Sequence, residues 1–206
     1  MKAWSQFFPD ILAEVPGCPD SMLERALLRA SQEFCAGTMA WKVWLSDTVT
    51  VLNTVEYDIE FESNSELIRL ERATLDGRPL QMATADDLPN DWMTNSASIA
   101  PCVFTNDRKT LALLPPPAAN LVLRVEASLK PANNAAGVED FLFDNYVDTI
   151  AMGAMAKLMQ KSNVPFSNPA KGMELDRQFT YELARIGFQK DRGFSSHMSR
   201  AKVRTF

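Results

Sequence analysis

Asp140, Asp144 and Asp148 recur four residues apart in GVEDFLFDNYVDT, a spacing that places three carboxylates on one helix face. Such a stripe has the chemistry to hold a divalent cation or to divide acid and base roles. No histidine or further carboxylate cluster accompanies it, and acids in the opening turns of a helix also oppose its dipole. The plainer reading is electrostatic. Between the two lies an inter-subunit role, in which the acidic stripe receives a basic segment from another chain.

The remaining reactive side chains are sparse. Cys18, Cys35 and Cys102 form no CxxC pair and are odd in number, so reduced structural thiols are expected rather than a zinc site or a disulfide framework. His197 is the only histidine. It lies beyond Gly193, outside any regular element the pattern predicts, so a Ser-His or Cys-His pair is not expected. The glycines never form GxGxxG or GxxxxGK[ST], the usual phosphate cradles. The sequence therefore predicts no catalytic residue, no metal and no cofactor.

Charge gives a stronger signal. The 206 residues carry a formal charge of -5. From Lys190 to Phe206, five basic residues face the single acid Asp191, a net of +4 that leaves -9 on residues 1–189. This is an acidic body with a basic arm. An acidic body repels DNA, and the arm interleaves few aromatic residues with its cations, which disfavours a sequence-reading DNA protein. Met198, Val203 and Phe206 are interspersed with Arg200, Lys202 and Arg204. That pattern suits a segment that orders against a partner groove bearing acids and apolar pockets; the bland alternative is a solvated terminus.

The elements that must carry these residues follow from periodicity. Trp4, Phe7, Phe8, Ile11, Leu12 and Val15 have helical spacing, with Pro9 suited to a first turn, and PGCP at 16–19 breaks the chain. Asp20 or Ser21 can cap the next helix, and Ser21 with Glu24 forms an S-x-x-E capping box; its stripe is Leu23, Ala26, Leu27, Ala30 and Phe34, with Gly37 suited to a stop near its end. From Trp41 the period becomes two. Val43, Leu45, Val49 and Val51 share one parity, and TVEYDIEF alternates Val55, Tyr57, Ile59 and Phe61 with Glu56, Asp58 and Glu60, giving one buried and one acidic face. ELIRLERATL, the hairpin dipeptide Asp76-Gly77, RPLQMA, PCVF, TLALL and NLVLRVEASL predict further short strands. Their connections are too short for helical crossovers, so antiparallel pairing is expected. A helical turn is expected around ADDL.

The last third is helical. Phe143, Val147, Ile150, Ala154 and Leu158 form one stripe, and Ala151, Gly153, Ala154 and Ala156 offer close approach. Asn168 and Pro169 open a second helix with the stripe Leu175, Phe179, Leu183 and Ile186. The expected fold is α+β: a helical lobe (N-terminal helix plus two long C-terminal helices) with a small antiparallel β-sheet region and an extended C-terminal arm. Residues 1–192 form a single domain, helical over 1–40 and 138–192 and β-rich over 41–130, and residues 193–206 form the arm. The start of the chain has no uninterrupted apolar run, and VDTIAMGAMAKLM is too short and too charged to span a membrane, so a soluble protein is expected.

In order along the chain, WSQFFPDILAEVPGCPDSMLERALLRASQEFCAGTMAW, LDGRPL with DDLPNDW, TLALLPPP with a strand ending LKP, DNYVDTIAMGAMAKLM, VPFSNPA and DRQFTYELARIGF resemble the head-to-tail adaptor (connector) proteins of tailed bacteriophages. The likeness touches most of residues 4–192. It implies a non-enzymatic virion structural protein, assembled in the host cytoplasm and sited at the neck between capsid and tail. Members form a ring, commonly of twelve subunits, below the portal protein. The ring extends the DNA channel used in genome packaging and ejection, lets DNA pass without sequence-specific binding, and docks a tail or nozzle protein. The resemblance also implies that C-terminal segments reach the portal, which here assigns portal binding to Arg192, Phe194, Arg200, Lys202, Arg204 and Phe206. Two other readings stand beside it: a small accessory enzyme with a carboxylate-based site at Asp140, Asp144 and Asp148, and a non-specific DNA-binding module.

Overall fold

The computed structural model describes residues 1–61, 64–88 and 100–192, except the side chains of Ala85, Asp191 and Arg192. Strand β1 (Lys2–Ala3) leads through a single 3-10 turn into helix α1 (Phe8–Leu12), with Pro9 in its first turn. Trp4, Phe7, Ile11 and Val15 are buried, as their spacing predicts. Helix α2 (Asp20–Thr38) buries Leu23, Ala26, Leu27, Ala30 and Phe34. Its start departs from the capping-box expectation. Pro19 occupies the cap position, no side chain caps the helix, and so Ser21 already lies inside the first turn. Nor does Gly37 end it. The chain turns at Met39, whose φ of 48° is left-handed, while Gly37 and Gly187 allow close helix approach: the Gly37 carbonyl oxygen lies 3.3 Å from where a Gly187 Cβ would stand.

The sheet overturns the expected fold class. Strands β2 (Lys42–Trp44), β3 (Thr48–Val49), β4 (Glu56–Asp58), β5 (Ser65–Leu75), β6 (Arg78–Met82), β7 (Cys102–Phe104), β8 (Thr110–Leu114) and β9 (Val122–Pro131) form one eight-stranded sheet. Its order is β2-β9-β5-β6-β7-β8-β4, with β3 also on β9. It curls into a half-barrel, so the molecule is a mixed α/β protein and not a helical lobe bearing a small sheet. The reason lies in β5 and β9, which pair from Ser65 with Pro131 to Leu75 with Leu123 and form a long spine. Charges scattered through ELIRLERATL and LRVEASLK conceal that length from a local reading.

Antiparallel pairing also fails at one junction. β6 and β7 are parallel, with Gln81 opposite Cys102 and Met82 opposite Val103. The stretch from 83 to 101 between them is long enough for the crossover that parallel strands require. Elsewhere the short connections hold: Asp76 and Gly77, at φ 49° and 79°, make the tight β5–β6 turn. The Val43–Val51 parity is broken as well. The strand divides at Leu45–Asp47 into β2 and β3, and Val49 and Val51 end up exposed.

Strand β10 (Gly137–Val138) pairs with β1 and leads into helix α3 (Asp140–Met159). Non-helical dihedrals at Tyr146 kink α3. The kink rotates its first turns, so Leu142 is fully buried while Phe143 and Val147 are only half-buried. Helix α4 (Pro169–Arg192) begins as predicted: the Asn168 Oδ1 accepts a 3.2 Å hydrogen bond from the Lys171 N–H, with Pro169 in the first helical position. Phe179 and Ile186 are buried, and the Phe179 ring lies against Gly153 of α3. The principal core lies where α2, α3 and α4 meet one another and the β5–β9 spine. A second fills the curl of the sheet with Tyr57, Val103, Leu111, Leu113, Leu123 and Val125.

Candidate assembly surface

Two surfaces carry apolar groups that the described residues leave exposed. The first is the open side of the curled sheet. β2 and β3 pair only with β9, and β4 pairs only with β8, so among the described residues neither outer edge meets a strand. Leu45, Asp47 and Val49 on one rim and Asp58, Ile59 and Glu60 on the other line a cavity floored by Leu111 and Val125. The two rims meet at Tyr57. Its hydroxyl donates to the Thr54 carbonyl oxygen at 3.0 Å and accepts from the Val51 N–H at 3.3 Å. Beyond that junction Val51 and Leu52 are exposed, and Trp44 is exposed near the β2 rim. The Arg72 guanidinium lies 5.6 Å from the centre of the Trp44 ring, while its Nε donates to Glu126 at 2.6 Å. The Trp44 ring therefore carries a cation contact on a rim otherwise open to solvent.

The rims are acidic. Asp47 is paired with Arg124 at 3.0 Å. Glu56, Asp58 and Glu60 are exposed and form no ion pair among the described residues. The acidic face is legible in the alternation of EYDIE, whereas its open edge appears only in the strand order.

The second surface is on α4. At 100° per residue, Met173 and Tyr181 project from the side opposite Leu175, Phe179, Leu183 and Ile186. Met173 is 54% exposed and Tyr181 67%. Tyr181 also borders a shallow groove between α3 and α4, with Asp148, Met152, Arg177 and Glu182 along it. A helix apolar on two opposite sides has one side for its own core and one for something else.

Asp140, Asp144 and Asp148 do not converge. Asp140 sits 2.9 Å from the Met1 amino nitrogen, whose hydrogen bond holds the Asp140 carboxyl below the usual carboxylate range. Asp144 and Asp148 are exposed on either side of the Tyr146 kink. Among the described residues no group of three or more His, Cys, Asp or Glu is placed to hold a metal, and no helix is long and apolar enough to cross a membrane. Arg192 ends α4, with its side chain outside the described residues. Phe194, Arg200, Lys202, Arg204 and Phe206, and the terminator expected at Gly193, lie outside them altogether.

Cys18, Cys35 and Cys102 are free and buried, matching the expectation of structural thiols. Burial pushes the Cys35 thiol up to about 12 and raises the other two. The most connected carboxylate, Glu71, lies between β strands. It accepts from Arg69 Nε at 2.9 Å and from the Ser128 hydroxyl, with the Lys42 Nζ 3.5 Å away. These partners tie β5 to β9 and β2, a structural role.

Neither protein-family models nor curated proteins give any match to this chain.

Proposed function

We propose that this chain is a structural protein of a tailed-phage virion: a head-to-tail adaptor that forms a ring below the portal, extends the DNA channel and docks the tail. The observation that supports it best is the two-sided α4. Its inward stripe serves the core, while Met173 and Tyr181 present a second apolar side to solvent. Such a side is costly on a monomer and is stabilising once covered by a neighbouring copy. The acidic body supports the reading too, since a conduit for DNA works best when phosphates are not held by its wall. Here the arm 193–206, with Arg200, Lys202 and Arg204, serves as a link between assembled components.

The test is assembly. Purified protein, alone and mixed with the portal of its virus, is imaged and sized by light scattering. A ring seated on the portal supports the adaptor. A chain that remains monomeric and unattached with portal present, or that turns over a small compound, overturns it.

A further inference from the structure

Strand β4 presents an unfilled edge with an unusual charge pattern. Its ladder with β8 uses the Val55 carbonyl, which accepts from Leu113 N–H at 2.8 Å, and the Ile59 N–H, which donates to the Lys109 carbonyl at 2.8 Å. Antiparallel backbones alternate their direction of bonding. The backbone groups of Glu56, Asp58 and Glu60 therefore point to the opposite edge, where no described strand meets them. The same three residues set their carboxylates on the solvent face, while Tyr57 and Ile59 face the inside of the curl. Any strand laid on this edge would meet three acids at every second position, above an apolar interior.

The sequence contains a segment with the complementary pattern. In RAKVRTF, Arg200, Lys202 and Arg204 alternate with Ala201, Val203 and Thr205. A strand of this composition carries three cations on one face and small or β-branched groups on the other. We infer that the outer edge of β4 is the acceptor for residues 199–206 of a neighbouring copy, which add to the sheet as a further strand with cations over Glu56, Asp58 and Glu60. The inference rests on the self-assembling reading above and names the surface that assembly uses.

Two features favour this seat and this donor. The acids of α3 offer no backbone edge, and Asp140 is already engaged by the Met1 amine, whereas β4 supplies both main-chain bonds and opposite charge. The last turns of α4 lie on the β2 side of the opening. α4 carries Lys190 close enough to Lys42 on β2 for its charge to be disfavoured, burial being the larger cause. A cationic arm folding back over its own β2 rim would add to that repulsion. Exchange with the next copy makes every chain both donor and acceptor, the head-to-tail arrangement that closes into rings.

The experiment uses full-length chains. Asp58→Cys and Lys202→Cys variants are prepared separately, mixed under assembly conditions and oxidised. A disulfide-linked pair is expected, and none when Lys202→Cys is mixed with Glu24→Cys on α2. In parallel, reversing Glu56, Asp58 and Glu60 to Lys should weaken self-association about tenfold, and reversing Arg200, Lys202 and Arg204 to Glu in the same chain should restore it. No cross-link between copies overturns the proposal. So does a disulfide that forms only within the chain of a third variant carrying both Asp58→Cys and Lys202→Cys, which would make the seat internal. If charge reversal releases the portal yet leaves self-association unchanged, the arm's partner is the portal and strand exchange falls while the adaptor reading stands. A wild-type chain that neither self-associates nor binds portal overturns both.

Discussion

Gly153 of α3 lies directly beneath the ring of Phe179 on α4: a methyl group at Gly153 would stand 2.8 Å from the ring's Cε2 and Cζ. Phe179 is fully buried, so its ring has no room to withdraw. Gly153→Ala should cost about 1–3 kcal/mol by overpacking, and Phe179→Ala about 3–5 kcal/mol by leaving a cavity. The two effects should not add. In the Phe179→Ala background the extra methyl fills part of the void, so a double-mutant cycle in denaturant should show a favourable coupling.

Gly137 is constrained by backbone instead of a ring. A Cβ there would lie 2.0 Å from the Lys2 carbonyl oxygen, so Gly137→Ala forces β1 off β10. Trp4, whose indole N–H donates to the Ala135 carbonyl at 2.8 Å, is anchored by the same junction. Faster amide exchange at Lys2, Ala3 and Val138 is expected, with exchange in α4 unchanged.

Glu71 should shape the acid limb of stability. Burial pushes its carboxyl up, but hydrogen bonds from Arg69 and Ser128 and the charges of Arg69 and Lys42 outweigh it, and the carboxyl is held below its ordinary value of 4.5. A depressed value in the folded state contributes stability above that ordinary value, and the contribution is lost as pH falls through the depressed one. Glu71→Gln should therefore flatten the loss of stability below pH 4.5, measured by urea titrations across that range.

Cys35 has the opposite sign. Its folded value of about 12 exceeds the ordinary 9.0. Its contribution is complete below pH 9.0 and drains away as pH rises toward 12, because the unfolded thiol ionises first. At neutral pH a thiol reagent should label Cys18, Cys35 and Cys102 only as fast as the chain opens, and the rate should rise with denaturant.

How much was legible follows from where the information sits. The caps, stripes and hairpin turn are local. Asn168-Pro169 and Asp76-Gly77 need only their neighbours to declare themselves, and the stripe of α2 is complete within itself. The sheet is not local. β9 buries Val125, Ala127 and Leu129 but also Glu126 and Ser128, because β2 and β5 flank it and Arg72 and Glu71 supply polar partners. No period-two rule reveals a strand wetted on neither side. The Tyr146 kink likewise shifts a stripe that reads as continuous. Of the candidate surface, the acids of β4 were visible as a face, while the emptiness of its edge depends on strand order.

That strand order has a mechanical side. The leaf made of β7, β8 and β4 joins the rest of the sheet through the brief parallel strap of Gln81 with Cys102 and Met82 with Val103, held by hydrogen bonds of 3.2 Å from Gln81 N–H to the Pro101 carbonyl and 3.1 Å from Ala83 N–H to the Val103 carbonyl. A force that flattens the curl would be concentrated on that strap long before it strains β5 against β9. What resists such opening is the shared apolar cluster, in which Tyr57, Val103, Leu111 and Leu113 of one leaf are buried with Ala73, Leu123 and Val125 of the other.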